Sequence, residues 1–428
     1  MRHMEKIKIK GIDEEIYYSN SKCGLPVYIW KNEHAKSFYM SLNVNYGSIH
    51  TEFLIKNKKY RVPAGIAHFM EHIKFNVDKD TTANDLFDPL GSDINAFTTF
   101  KYTSYLVYGT NKIKENLNNL LDYVYTPYFT KEMIKKEKGI IISEINMGKD
   151  QPYNNLYFEF NKCLYQKDKF RNLITGDVSD VQDIQLDDIK LIYDTFYHPK
   201  NMFLIITGNV NPYEIEKIVN DNLSCKEFKE YVEPEIVKVK EPKGVNKKEK
   251  ILYSNVEVEK AKIGVKIEKK NFKDIDKVRL NIILSLILAS NFGDTSDLKE
   301  ELLQEGLITY MQYQRYVQDD HVVLDITLES RYVDEAVNRV KKALNNLDMS
   351  LEDLKRKVNS SIANMVINYE DVENVNNMIQ NYIIYYGEII QNLKELYESI
   401  TLDEVKEVIS KINTKEITVV KMIKNTSK

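Results

Sequence analysis

"QLDDIKLIYDTFYHPKNMFLIITGNV", residues 185–210, is echoed near the other end of the chain by "TLDEVKEVISKINTKEITVVKMI", residues 401–423. Each opens on a Leu-Asp-acid-aliphatic-Lys run, Leu186 to Lys190 and Leu402 to Lys406, and continues as an amphipathic helix into a β-branched strand. A repeat this long implies two copies of one α+β unit rather than an array of small motifs. Between the copies lies "CKEFKEYVEPEIVKVKEPKGVNKKEK" (225–250), dense in Lys and Glu, with Pro234, Pro242 and Gly244 and no sustained helical period. It reads as a solvated linker. The expected organisation is an α+β domain over 1–225, a charged linker over 226–250 and a homologous domain over 251–428.

Working outward, "GLPVYIW", "SFYMSLNVNYGS" and "NAFTTFKYTSYLVYG" in the first half read as strands, as do "KAKIGVKIE" and "DDHVVLDITLE" in the second. Residues 113–125 and 130–147 have helical spacing, the latter with Thr130 as N-cap. So do 275–290, 333–347 and the long run 351–386. Antiparallel-rich sheets with helices packed on one face suit this order better than a doubly wound parallel sheet.

Composition narrows the function. The 428 residues can bury a large core, and 43% apolar with 29% charged residues is the range of a globular protein. A net charge of −4 lacks the basic excess that a nucleic-acid surface needs. No apolar core long enough for a secretory signal opens the chain, and "LNIILSLILAS" (280–290) is too short to cross a bilayer. Cys23, Cys163 and Cys225 are odd in number and form no CxxC pair. They argue against a disulfide framework or a thiolate metal site and favour a reducing cytoplasm.

The chemistry concentrates in "GIAHFMEHIKF", residues 65–75, which holds two of only seven histidines. With His68 at zero on a helical wheel, Glu71 falls at about 300° and His72 at about 40°, while Ile66, Phe69, Met70 and Ile73 occupy the opposite side. Two histidines at i and i+4 on one face can reach a single zinc ion, and the glutamate between them is placed to take a proton from water. His-x-x-Glu-His is the inverted zincin order. A third ligand is required. In "KEMIKKEKGIIISEINM" (131–147), Glu137 and Glu144 share a helix face seven residues apart. Glu144, set among Ile140, Ile141, Ile142 and Ile145, is the better candidate, because a carboxylate amid apolar surface needs a compensating cation.

"VPAGIAHFMEHIKF", "NAFTTFKYTSYLV", "KEKGIIISEINM" and "FYHPKNMFLIITGNV", in that order, resemble the pitrilysin/insulinase family of inverzincin metallopeptidases, in particular its short bacterial branch. The resemblance covers most of 25–225, and the second half by pattern and length only. It implies half of a clamshell built of two homologous domains, one Zn2+ per chain held by His68, His72 and Glu144, Glu71 as general base, and Glu137 as a supporting carboxylate. It also implies that substrate adds as a strand along Asn95, Ala96, Phe97 and Thr98. One departure stands out. The family's substrate-gripping Arg and Tyr, seven residues apart, align with Leu302 and Thr309. Family members of this size carry two domains where a closed chamber needs four. The resemblance therefore implies a homodimer, or a heterodimer with a related zinc-free subunit supplying the missing pair. The expected function is a zinc-dependent endopeptidase cutting peptides or unfolded segments inside a two-chain clamshell. The alternatives are the catalytic subunit of a leader-processing protease, or a non-catalytic structural subunit.

Overall fold

Fifteen strands form among residues 4–425, the residues described in this computed structural model. They are β1 (Glu5–Ile9), β2 (Glu14–Asn20), β3 (Pro26–Lys31), β4 (Phe38–Val44), β5 (Glu52–Ile55), β6 (Lys58–Arg61), β7 (Asp93–Thr98) and β8 (Thr103–Gly109). There follow β9 (Met202–Gly208), β10 (Glu235–Ile236), β11 (Glu249–Ser254), β12 (Glu259–Glu268), β13 (Tyr310–Val317), β14 (His321–Ser330) and β15 (Ile417–Lys424). The helices of the first half are α1 (Ile66–Lys74), α2 (Ala83–Phe87), α3 (Ile113–Tyr125), α4 (Lys131–Asp150), α5 (Pro152–Leu164), α6 (Val178–Asp183), α7 (Leu186–Phe196) and α8 (Pro212–Ser224). Those of the second half are α9 (Lys277–Phe292), α10 (Asp297–Gln304), α11 (Val333–Leu344), α12 (Leu351–Asn368), α13 (Val372–Tyr386), α14 (Leu393–Glu398) and α15 (Leu402–Lys411). None is long and apolar enough to cross a membrane.

The repeat is real at the level of the sheets. One sheet runs β1-β2-β3-β9-β4-β8-β7, and another runs β11-β15-β12-β14-β13. Within them β9 lies parallel to β3 and antiparallel to β4, just as β15 lies parallel to β11 and antiparallel to β12. The β4-β8-β7 and β12-β14-β13 runs are antiparallel throughout. The shared Leu-Asp-acid opening has a local cause. Asp188 accepts from the Gln185 amide at 2.8 Å and Glu404 from the Thr401 amide at 2.9 Å, closing a capping box at the start of α7 and of α15.

The division of the chain differs from the expected boundaries at 225 and 251. One compact unit takes the residues up to Ile145, Leu173–Lys238 and Met365–Leu393; the other takes Asn146–Asn172, Val239–Asn364 and Lys394 onward. Each half of the sequence therefore lends a helix to the other unit. The run 351–386 breaks at Asp371, which caps α13 by accepting from the Asn374 amide at 2.8 Å, and α13 then packs on β9 and β4 of the first unit. Reciprocally, α5 packs on β15 and β12 of the second. There a Cβ on Gly264 would fall 2.3 Å from the Phe160 ring, so only glycine admits the helix so closely. The segment read as linker is also partly structural. β10 pairs with β5, and Glu241 is buried in an ion pair with Lys266 at 2.7 Å.

In the first unit α1, α3 and α8 form the expected helical layer on one sheet face, where Tyr105 of β8 meets Tyr123 of α3. The addition is α13 on the opposite face, and the contact there is polar as well as apolar. Asn376 accepts from Ser41 at 2.6 Å, Gln380 donates to Asn43 at 2.5 Å, and Thr207 donates to the Val372 carbonyl at 2.6 Å, all buried. Around them Val372, Val375 and Ile379 join Trp30, Phe203 and Ile205 in one apolar cluster.

Candidate metal centre

The helix carrying the two histidines begins at Gly65, whose φ of 80° lies in the left-handed region. A Cβ there would come within 2.1 Å of the Thr175 carbonyl oxygen, so the glycine is required twice over. Ile66, Phe69, Met70 and Ile73 are buried as the periodicity predicts. The polar face is covered as well, with His68 only 9% and Glu71 only 8% exposed.

α4 brings the carboxylates. Glu144 Oε2 stands 3.2 Å from His68 Nε2 and 3.5 Å from His72 Nε2, so both imidazoles turn the same nitrogen toward one carboxylate oxygen. The His72 Nδ1–H donates to Glu137 Oε1 at 2.8 Å, which fixes the tautomer and leaves Nε2 with its lone pair. Glu71 Oε2 lies 3.3 Å from His68 Nδ1. His68, Glu71, His72, Glu137 and Glu144 are thus brought together in one place. The burial of the two α4 carboxylates is reversed from expectation. The Glu137 side chain is 11% exposed and that of Glu144 42%. The buried stripe of α4 runs Ile134, Glu137, Ile141, Ile145, and Glu144 sits at its margin where the site opens.

Three carboxylates, Glu71, Glu137 and Glu144, surround the two imidazoles. Burial disfavours charge on His68, yet the Glu144 and Glu71 carboxylates outweigh it and raise its pKa to about 9. His68 in turn, against partial burial, holds the Glu144 carboxyl below its ordinary range. Two nitrogen donors and a carboxylate at one point, with two further carboxylates behind them, fit a divalent ion of the zinc type.

Asn95, Ala96, Phe97 and Thr98 lie on β7, which among the described residues pairs only with β8 and forms the sheet's outer edge. The stretch read as one strand is a hairpin, turned at Thr99, whose amide donates to the Tyr102 carbonyl at 2.8 Å. Thr98 does more than offer backbone groups. Its Oγ1–H donates to Glu71 Oε2 at 2.6 Å, a contact that no spacing in the sequence announces. Lys74 was equally hidden. It is buried one turn beyond Glu71, donates to the Thr126 carbonyl at 2.7 Å, and burial lowers its pKa to about 7.

In the second unit Leu302 is fully buried in α10, and Thr309 gives its amide to the Glu329 carbonyl at 3.0 Å. Neither carries a strong donor. Nearby Arg315 donates to the Asn281 carbonyl at 3.0 Å, and Tyr310 to Gln312. Asp168, Asp320 and His321 form a second cluster there, in which buried His321 Nδ1–H donates to Asp320 at 2.5 Å.

Residues 27–177 match the model of the insulinase family, peptidase family M16, and residues 183–361 match that of the peptidase M16 inactive domain. The chain is 36% identical over 308 residues to an uncharacterized zinc protease, YmfH, of Bacillus subtilis, covering 71% of this chain and 72% of that one. It is 24% identical over 337 residues to the zinc protease PqqE of Helicobacter pylori, covering 75% and 74%. Among solved structures, an M16-like peptidase from Alicyclobacillus acidocaldarius superposes with a TM-score of 0.90 at 24% identity, over 97% of this chain and 99% of that one. The periplasmic protease PqqL of Escherichia coli superposes with a TM-score of 0.76 at 18% identity, over 97% of this chain but 48% of its own.

Proposed function

The chain belongs to the insulinase family of M16 peptidases, and on that premise we propose that it is a zinc-dependent endopeptidase acting on extended peptides or unfolded segments. The observation that carries this is the convergence of His68 Nε2 and His72 Nε2 on Glu144 Oε2, with Glu71 beside them and an unpaired sheet edge adjoining. His68, His72 and Glu144 would hold the metal, which when bound supplies a Lewis acid for peptide hydrolysis. Glu137 keeps His72 in the ligating tautomer. Glu71 accepts the proton of the attacking water and returns it to the leaving amine. Thr98 ties down one oxygen of Glu71, leaving the other for proton transfer. The backbone of β7 takes the peptide as a further strand, so the scissile bond is presented in extended form.

Leu302 and Thr309 offer no charged or phenolic donor for the developing oxyanion, and each such donor is worth roughly 2.7–4 kcal/mol. The reading therefore includes a partner, a second copy or a related zinc-free subunit, that supplies them. The fit of this chain to about half of a longer protease supports a two-half assembly. A cytoplasmic setting belongs to the same proposal, in keeping with three free cysteines.

The test joins metal analysis to digestion of an unstructured peptide, with and without chelator, on the chain alone and with any co-purified subunit. Glu71→Gln is expected to keep zinc while hydrolysis falls by roughly 100-fold or more. Loss of the metal, or unchanged hydrolysis, would overturn the assignment of roles. Full activity of an isolated monomer would remove the partner.

A further inference from the structure

A strand places alternate side chains on opposite faces of its sheet. On β7, Thr98 turns toward Glu71, while Asp93, Asn95 and Phe97 turn the other way, toward α13. Between them and that helix lies a cavity of about 680 Å³, bordered by the edge strand β7. Its charge is of one sign. Asp93, Asp371 and Glu373 line it, and no Lys or Arg does. Asp371 uses one oxygen to cap α13, whereas Asp93 and Glu373 are exposed carboxylates. Aromatic rings form part of its wall, Phe97, Tyr102 and the Tyr39–Tyr108 pair, whose ring centres lie 6.5 Å apart. Burial and then the charge of Glu373 push the Tyr39 hydroxyl up to about 12, which sets Glu373 close to that ring.

We propose that this cavity selects Lys or Arg at every second position of the peptide that docks on β7. An extended chain added to that edge sends alternate side chains to the α13 face, and there it meets aromatic walls and unneutralised carboxylates. Lys and Arg match both features, laying an aliphatic stem along the rings and a cation among the acids. Acidic side chains meet only like charge. The inference rests on the peptidase reading for one point, that β7 is the docking edge; the selectivity itself comes from residues that touch neither the metal centre nor Glu71.

Binding is measured on the full-length Glu71→Gln chain, so that peptide is not consumed. Fluorescent peptides differ only at alternate positions, which hold Arg, Gln or Glu. At about 0.05 M ionic strength the Arg peptide is expected to bind about 10-fold more tightly than the Gln peptide, and the Glu peptide more weakly than either. Adding Asp93→Asn and Glu373→Gln together, both exposed positions, should shrink the Arg preference to about 2-fold without changing metal content, as should about 1 M salt. Equal binding of Arg and Gln peptides, a preference that survives the double change, or no binding of any peptide would overturn the inference. The two readings separate cleanly. A preference seen while the unmodified chain, with any co-purified subunit, hydrolyses no bound peptide keeps the cavity's selectivity and rejects the peptidase.

Discussion

Glu137 offers a test of the metal centre that needs neither substrate nor partner. Its carboxylate stands outside the expected ligand set, yet it accepts from His72 Nδ1–H at 2.8 Å in a nearly closed environment. That bond holds the ring with Nε2 facing Glu144 at 3.5 Å. Glu137→Gln keeps the shape and an accepting oxygen but removes the charge. Outer partners of this kind are worth about 10–100-fold in metal affinity, or about 1.4–2.7 kcal/mol. A hydrogen bond to a charged group, worth about 1.5–3 kcal/mol, gives the same scale independently. The assay is zinc competition with a chromophoric chelator on the purified chain. Glu137→Gln should weaken zinc by one to two orders of magnitude, His72→Ala by far more, and Glu132→Gln, on an exposed turn of the same helix, not at all. Unchanged affinity in Glu137→Gln, or a loss as large as in His72→Ala, would refute the reasoning.

Thr98→Val removes the 2.6 Å hydrogen bond to Glu71 and little volume. It should lower kcat about 10–100-fold with KM and zinc content unchanged, and an unaltered kcat would deny Thr98 a positioning role. Glu241→Gln leaves Lys266 buried beside a neutral group, where the pair is now 1% exposed on each side. Chemical denaturation should register a loss of about 3–5 kcal/mol, and a smaller loss when Lys266→Met is added. The bidentate Arg279 contact holds the Glu404 carboxyl well below its ordinary value, at about 2. Because the folded value is the lower one, its stabilisation is full above pH 4.5 and is lost as pH falls toward 2. Glu404→Gln should therefore cost about 1 kcal/mol near pH 6, a figure reduced for solvent screening, and nothing at the acid end. A cost that does not change with pH would place its origin elsewhere.

What the sequence reveals follows how local each cause is. The helix 113–125 matches α3 residue for residue, because its apolar spacing and its burial are properties of one segment. The His/Glu face of α1 was legible for the same reason. The equivalence of β9 and β15 showed through because a capping box and a β-branched strand are both written locally. The exchange of α5 and α13 was not legible. The stripe Val372, Val375, Ile379 says that a helix is buried and is silent on which sheet buries it. Sequence neighbours rank Glu144 above Glu137, whereas burial follows the stripe of α4 that packs inward, Ile134, Glu137, Ile141 and Ile145, with Glu144 at its margin. Glu241 looked solvated among lysines, and only its distant partner Lys266 explains its place inside.

The exchanged helix α13 also has a bearing on synthesis. Every strand of the sheet beside the candidate metal centre has been translated by Gly208, but the helix that covers its second face starts at Val372. While the ribosome makes the intervening segment, that face has no permanent cover. Ser41, Asn43, Ser104 and Thr207, which α13 later engages, can stay hydrated in the meantime. A surface seeded with hydroxyls and amides tolerates such a wait better than a wholly greasy one, since a bare apolar sheet face invites aggregation. The nascent chain can thus keep that face of its first sheet hydrated until α13 has been made.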